Sequence, residues 1–260
     1  MNAEIKNELT VDERREKILG LLNQKGKVRV GELSKLFAIS EVTIRIDLSE
    51  LETAGMVERV HGGAISVSKA YYSMSLQERM RTNETEKRRI ARAVAGMVSD
   101  GDTIMLNSGT TTLFTVQELH NIRDLTIVTN SIAIAKEVGH KGYNIIVLGG
   151  CYNAQYQFTY GDDTINQLRK YKADKLILAV DGISADDGIA TYLHFEAEVD
   201  KQMISRVKRT IVVADYAKVG RVSFANIDTV SVIDTLVTDT RANPDDVRAL
   251  IDKGLEVQQV

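Results

Sequence analysis

Apolar positions recur at helical spacing in the N-terminal part of the chain and in short uninterrupted runs after Asp102, so two kinds of architecture succeed one another. In SEVTIRIDLSEL, from Ser40 to Leu51, the residues Ile44, Leu48 and Leu51 fall at i, i+4 and i+7. This predicts a helix capped by Ser40, with that stripe buried. Val42, Arg45, Ile46 and Ser49 then share the opposite face. Upstream, Val30, Leu33, Leu36 and Phe37 repeat at helical spacing, and Ile39 closes a short turn onto Ser40, giving helix, tight turn, helix. Another amphipathic helix is predicted over Asp12 to Gln24, buried through Ile18, Leu21 and Leu22. Gly55 is expected to end the Ser40 helix, and MVERV with HGGAISV reads as two strands around a Gly62 and Gly63 turn.

The stretch SVSKAYYSMSLQERMRTN has no sustained period and reads as a linker, with Leu76 and Met80 docking on the C-terminal domain. Asn83 to Ser99 is a predicted helix with Asn83 as cap and Glu86 at N3. It is buried through Ile90, Val94 and Met97, and Lys87, Arg88, Arg89 and Arg92 face solvent or a partner. From Asp102 onward TIML (103–106), LTIV (125–128), IIVL (145–148), LILAV (176–180), TIVVA (210–214) and VSVI (230–233) alternate with helical stretches. Such runs predict strands buried on both faces of an open, mostly parallel α/β sheet. The domains expected are 1–68, a linker 69–82, and an α/β domain 83–260.

The two parts carry different candidate chemistry. An exposed helix face bearing Arg45 between Val42 and Ile46 suits the major groove, where Arg bonds guanine bidentately and methyls pack on thymine. An interface helix in a small bundle is the alternative. In the α/β part a ligand belongs at the carboxyl ends of the strands. There stand NSGTTT at 107–112, then Thr129 to Ser131, Gly149 and Gly150, Asp181 and Gly182, and Asp215 with Lys218. A strand entering a Gly and Thr loop that opens a helix aims N–H groups and hydroxyls at an anion. Ser108, Gly109, Thr110, Thr111 and Thr112 therefore read as a phosphate cradle. An ordinary capped turn gives the same string. Neither a Walker loop nor a dinucleotide G-x-G-x-x-G pattern occurs.

Residues 14 to 65 resemble the winged helix of the DeoR family of bacterial sugar-operon regulators. The resemblance rests on ELSKLF, on S-x-x-TIR-x-DL at Ser40 to Leu48, on L-x-x-x-G at Leu51 to Gly55, and on R-x-HGGA at Arg59 to Ala64. It implies DNA binding through Ser40, Val42, Thr43, Arg45, Ile46 and Ser49 on the helix, with Arg59 and His61 at the wing. Ile46 stands where the family usually has Arg, and sometimes Lys or Asn, which leaves Arg45 to carry more of the direct readout. Residues 84 to 239 resemble the sensor domain of the same family, similar in fold to ribose-phosphate isomerases, glucosamine-phosphate deaminases and CoA transferases. SGTTT, TNS, LGG, DGI at Asp181 to Ile183, DYAKVG at 215–220 and the late Thr238 and Asp239 carry that resemblance. It implies a phosphorylated sugar effector, with Ser108 to Thr112 on the phosphate and Asn130, Asp181 and Lys218 near the sugar; Gly149 and Gly150 line the same edge. Asn107 stands where Asp is usual, and Tyr216 with Ala217 replace a Ser pair.

Composition narrows the rest. The net charge of −3 and sequence pI near 5.9 are the opposite of a nonspecific nucleic-acid binder. Arg14, Arg15, Lys25, Lys27, Arg29, Arg45 and Arg59 must therefore cluster to meet phosphate, while Glu8, Glu50 and Glu52 face away. No apolar run reaches the roughly 18 residues of a membrane span, and MNAEIKNEL lacks a signal peptide's regions, so a cytoplasmic protein is expected. The single Cys151 excludes an internal disulfide framework and reads as a buried thiol rather than a nucleophile. The four histidines show no ligand spacing, and neither metal nor cofactor is expected. Tyr152, Tyr156, Phe158 and Tyr160 fall in a loop where rings stack on a sugar or pack a surface. Glu196, Glu198 and Asp200 around His194 resemble an acid/base cluster but read first as a solvated helix face. The competing function is an isomerase or deaminase with an appended DNA-binding module; Asp186, Asp187 and Gly188 stand where such isomerases carry a lysine and a glycine run. A single helix-turn-helix reads few bases, so a homo-oligomer, dimer or tetramer, is expected on operator DNA.

Overall fold

A computed structural model describes residues 9–25, 27–53, 57–66 and 74–260. The chain divides into two compact units, Met1–Met74 and Ser75–Val260. The expected end of the Ser40 helix at Gly55 and residues 69–73 of the expected linker lie outside the described residues.

In the first unit α1 (Val11–Lys25), β1 (Lys27–Arg29), α2 (Val30–Phe37), α3 (Glu41–Thr53), β2 (Val57–Val60) and β3 (Gly63–Ser66) come in order. Ile44, Leu48 and Leu51 are buried as predicted, in one core with Ile18, Leu22, Val28, Val30, Leu33 and Val57. Leu36 is 62 % exposed, because Val30, Leu33 and Phe37 already define the inward stripe of α2 and Leu36 falls beside it. Leu21 is only partly buried. The tight turn is closed by Ala38 in left-handed conformation, φ 55°, and by Ser34, whose hydroxyl donates to the Ile39 carbonyl at 2.6 Å. Strand β1 is not foreseen by the hydrophobic pattern, being three residues long. It pairs antiparallel with β3, which pairs with β2, so the wing is a three-stranded sheet. Its turn is His61 with Gly62, φ 78°, rather than the two glycines. Gly63 lies inside β3, where a Cβ would meet the Val28 carbonyl oxygen at 2.0 Å.

Asp47 is the buried polar centre of this unit, 1 % exposed. Arg14 from α1 binds it in a fork, Nε to Oδ2 at 2.6 Å and a second guanidinium nitrogen to Oδ1 at 3.1 Å; Arg15 adds a contact at 3.3 Å. Arg14 is itself buried, so it is withdrawn from the basic cluster expected to meet phosphate. It fastens α1 across α3 instead.

The second unit opens with α4 (Leu76–Arg81) and α5 (Glu84–Ala95). Helix α4 stands where a linker is expected; its six residues are too few to show a period, yet a complete capping box joins Ser75 and Glu78, and Leu76 is buried. Asn83 is in left-handed conformation, φ 50°, and makes no cap bond; its side-chain nitrogen donates to Asp215 Oδ1 at 3.2 Å. Lys87 is 2 % exposed rather than solvent-facing, donating to the Arg79 carbonyl at 2.8 Å and lying 4.0 Å from Asp215 Oδ2.

The remaining elements are β4 (Thr103–Leu106), α6 (Thr110–Glu118), β5 (Thr126–Thr129), α7 (Ile132–Val138), β6 (Asn144–Val147), β7 (Cys151–Asn153), β8 (Phe158–Tyr160), α8 (Asp162–Leu168), β9 (Ala173–Ala179), β10 (Gly182–Ser184), β11 (Gly188–Thr191), α9 (His194–Ile204), β12 (Val207–Val213), β13 (Ala225–Asp228), β14 (Thr235–Thr238), α10 (Pro244–Asp252) and β15 (Glu256–Gln259). A seven-stranded sheet runs β15-β14-β12-β9-β4-β5-β6, every pair parallel. Alternation along each strand feeds two cores: Ile104, Leu106, Ile127, Ile211 and Val213 face α5, α6 and α7, while Met105, Val128, Leu176, Val212 and Leu236 face α9 and α10. VSVI forms no strand. Val230–Val232 is a 3-10 turn that buries Val230 and Ile233, and the strand is the neighbouring TLVT, β14. Strand β15 escapes the apolar pattern because it is an edge strand, EVQQ. Strands β10, β11 and β13 form a separate antiparallel sheet, and β7 with β8 a hairpin.

Candidate DNA interface and carboxyl-edge site

Helix α3 presents the face its sequence predicts. Val42 is 63 % and Ile46 55 % exposed, large apolar side chains left uncovered by the described residues of the unit. Arg45 lies between them and pairs with Glu41 at 2.6 Å; both side chains are half-exposed, so water screens the pair and a base edge can compete for the guanidinium. Ser40 and Thr43 sit at the helix start, where the Ser40 hydroxyl accepts the Thr43 N–H at 3.1 Å and meets its hydroxyl at 2.8 Å. Their hydroxyls are therefore engaged in capping. Ser49 is partly buried and its carbonyl accepts from Thr53. On the wing, Arg59 is exposed and its backbone N–H donates to Glu52 at 3.1 Å; His61 is exposed in the turn.

In the second unit the first strand, β4, lies mid-sheet, with β5 and β6 to one side and β9, β12, β14 and β15 to the other. The strand order thus reverses between β4 and β9, and a crevice at a topological switch point is where α/β sheets bind ligands. Asn107, directly after β4, closes it from below. Its side chain donates to the Ala179 carbonyl and accepts the Ala179 N–H, both at 2.9 Å. Gly109 comes so close to β9 that a Cβ would stand 2.4 Å from Ala179 Cβ. Helix α6 starts there with no side-chain cap, so the first-turn N–H groups of Thr110, Thr111 and Thr112 have no acceptor within the helix.

The predicted cradle is only partly available. The Thr112 hydroxyl is fully buried and donates into the turn, within reach of the Asn107 carbonyl at 3.0 Å or the Gly109 carbonyl at 2.9 Å, and Ser108 donates to Glu196 at 2.7 Å. Thr110, Thr111 and the first-turn N–H groups are the part of the string not drawn into these side-chain bonds. Asp181, after β9, accepts from Thr191 at 2.9 Å and from the Tyr192 N–H at 3.1 Å. Lys218 lies 3.4 Å from it, in keeping with its strand-end position, and Arg79 3.7 Å. Arg79 is a cation that the hydrophobic pattern does not reveal, because α4 is too short to carry a period; the Ser75-x-x-Glu78 box is the signal that marks its helix.

Asn130 is buried, and its amide donates to the Thr159 carbonyl at 2.8 Å, tying β5 to the hairpin; its oxygen Oδ1 has no partner among the described residues. Gly149 spends its N–H on Gln167 at 3.1 Å and its carbonyl on Thr164 at 2.7 Å. At Gly150, φ 145°, a Cβ would meet Thr164 Oγ1 at 2.2 Å, so this glycine permits close packing against α8 and β8, whereas a Cβ at Gly149 would make only ordinary contact with Gln167, at 3.4 Å. Tyr156 and Phe158 are buried and Tyr160 stacks on Phe195 at 4.1 Å, which leaves Tyr152 as the exposed ring. Cys151 is exposed, contrary to the expected buried thiol, because β7 is a hairpin strand outside the main sheet.

Glu196 and Asp200 are not a solvated face. Burial, then the neighbouring Asp181, push the Glu196 carboxyl up to about 7, and burial with Glu196 holds Asp200 well above the usual carboxylate range. Glu198 is exposed.

Similarity to known proteins covers both units. Residues 14–70 match the DeoR-like helix-turn-helix domain and residues 82–240 the DeoR C terminal sensor domain. The putative aga operon transcriptional repressor of Escherichia coli O157:H7 is 34 % identical, over 94 % of this chain and 92 % of its own. The glycerol-3-phosphate regulon repressor of Escherichia coli K12 is 30 % identical, over 93 % and 96 %. Among solved structures, ribose 5-phosphate isomerase A of Methanocaldococcus jannaschii aligns with 52 % of this chain and 54 % of its own, at 15 % identity and a TM-score of 0.36. With an exposed recognition helix on a winged unit, a parallel α/β unit later in the chain, and matches of this extent to both, the chain belongs to the DeoR family of transcriptional regulators.

Proposed function

We propose that this protein is a repressor of a carbohydrate-utilisation operon in the bacterial cytoplasm, binding operator DNA through α3 and the wing and responding to a phosphorylated sugar at the β4–β9 switch point. The observation that carries the effector reading is the uncapped start of α6, whose first-turn N–H groups stand at one edge with Lys218 and Arg79. This arrangement rewards a phosphate dianion far more than a neutral hydroxyl. The glycerol-3-phosphate repressor's name fits a phosphorylated ligand in this family. A homo-oligomer, dimer or tetramer, supplies the second recognition helix that adequate specificity needs. A catalytic reading is disfavoured at Asp186 to Gly188. Those residues form the tight β10–β11 turn, with Gly188 pressed against Asp228, and offer no lysine.

The DNA reading is tested at Arg45. Arg45→Ala is expected to weaken specific operator binding by about 1–3 kcal/mol and to relax preference at one base pair per half-site. Within the unit its side chain makes a surface contact to Glu41, so the fold is retained. Anisotropy titrations at fixed salt against operator variants measure both effects; undiminished affinity and selectivity would remove Arg45 from the readout.

A further inference from the structure

Thr191 Oγ1 stands 2.9 Å from Asp181 Oδ2 and 2.8 Å from Glu196 Oε2. A hydroxyl owns one proton, so it donates to one of these acids, and the other contact is a hydrogen bond only when that acid brings a proton of its own. The surroundings decide which. Asp181 accepts the Tyr192 N–H and has Lys218 at 3.4 Å and Arg79 at 3.7 Å, all favouring its ionised form. Glu196 has hydroxyl partners alone among the described residues, Ser108 on one oxygen and Thr191 on the other. It also faces two further acids, Asp181 and, one helical turn along α9, Asp200. Asp200 is 1 % exposed, and its Oδ2 has no hydrogen-bond partner among the described residues. Burial and the neighbouring acid Asp181 outweigh what Arg79 and the two hydroxyls offer an ionised Glu196, so the proton in this cluster belongs on the α9 side.

We infer that Glu196 is a specificity-determining residue that selects the charge of the ligand by carrying a proton: neutral, it admits a dianion to the cradle that begins at its partner Ser108, and ionised, it repels one. The inference rests on reading this edge as the anion-binding effector site. The groups around Glu196 fix the direction. Arg79, Lys218 and Asp181 form a cluster that includes the ionised acid, Asp200 and Tyr156 are pushed toward their protonated forms by burial, and Tyr192 contributes its N–H. Burial and the neighbouring Asp181 push the Glu196 carboxyl up to about 7. A bound dianion raises that value further, so binding takes up a proton. Affinity is full below the free-site value and falls as pH rises through the range above it.

Sulfate is the appropriate probe, since it stays a dianion across the range and has no titration of its own to confuse the profile. Calorimetry on the full-length protein is expected to show sulfate binding roughly five- to tenfold weaker at pH 8 than at pH 6. In buffers of differing ionisation enthalpy at pH 7, it should show net proton uptake on binding sulfate. Glu196→Gln, a neutral isostere, should bind sulfate with no pH dependence over the same interval. The proton count is read on the unaltered chain, so the proposal stands or falls even if the variant does not fold. Binding with neither pH dependence nor proton uptake overturns the role of Glu196 and leaves the anion site standing. Failure of sulfate and of a panel of sugar phosphates to bind at any pH overturns the effector reading and this inference with it.

Discussion

Asp47→Ala is expected to unfold the DNA-binding unit while the sensor unit remains folded. The substitution leaves Arg14 as a buried guanidinium without its counter-charge, a change that costs about 3–5 kcal/mol. A core the size of the first unit supplies only about 3–5 kcal/mol in total, so the loss is of the same order as the stability itself. Denaturant unfolding monitored by circular dichroism should show the first unit's transition lost or displaced to low denaturant, with operator binding abolished. Arg15→Ala removes the looser contact, made by a side chain that water reaches, and is expected to cost less than about 1 kcal/mol. An Asp47→Ala protein that unfolds like the unaltered chain would show that the fork does not hold α1 to α3.

Lys218→Met is expected to cut stabilisation by the effector to about half or less. A ligand at a hundredfold its dissociation constant adds about 2.7 kcal/mol to the folded state. Removing one charge-assisted bond to a phosphate costs about 1.5–3 kcal/mol, enough to take the same ligand concentration below saturation. The side chain is largely buried beside Asp181, and methionine keeps its bulk, so a lost response reports lost charge rather than a cavity. Thermal unfolding with and without a panel of sugar phosphates measures it. A shift in Tm of equal size in Lys218→Met would place the phosphate elsewhere.

The features legible in the sequence are those that repeat. Ile44, Leu48 and Leu51 mark α3, and the runs at 103–106 and 176–180 mark strands of the parallel sheet, because burial on one stripe or on two faces leaves a periodic trace. The carboxyl-edge placement of Ser108, Asp181 and Lys218 is legible for the same reason, since strand ends are where runs stop. Hidden features depend on long-range pairing. Asp47 and Lys87 look like solvated charges until Arg14 and the Arg79 carbonyl are brought to them from elsewhere in the chain. Glu196 and Asp200 sit on a helix whose pattern is that of a polar face, and only the packing of α9 under the β4–α6 turn makes them buried acids. Gly150 carries a second role that the sequence does not show, because its close approach to Thr164 and the Tyr160 carbonyl comes from long-range packing.

If a phosphate group at the β4–β9 switch point governs operator binding, the operator itself is the most direct reporter. Operator affinity is measured at fixed salt and pH, with each of a set of sugar phosphates and then with the matching free sugars. At least one phosphorylated member should change the operator Kd, its unphosphorylated counterpart should not, and the change should shrink in Lys218→Met. A free sugar that shifts the Kd as strongly as its phosphate, or a response undiminished in Lys218→Met, would contradict control by a phosphate at this edge.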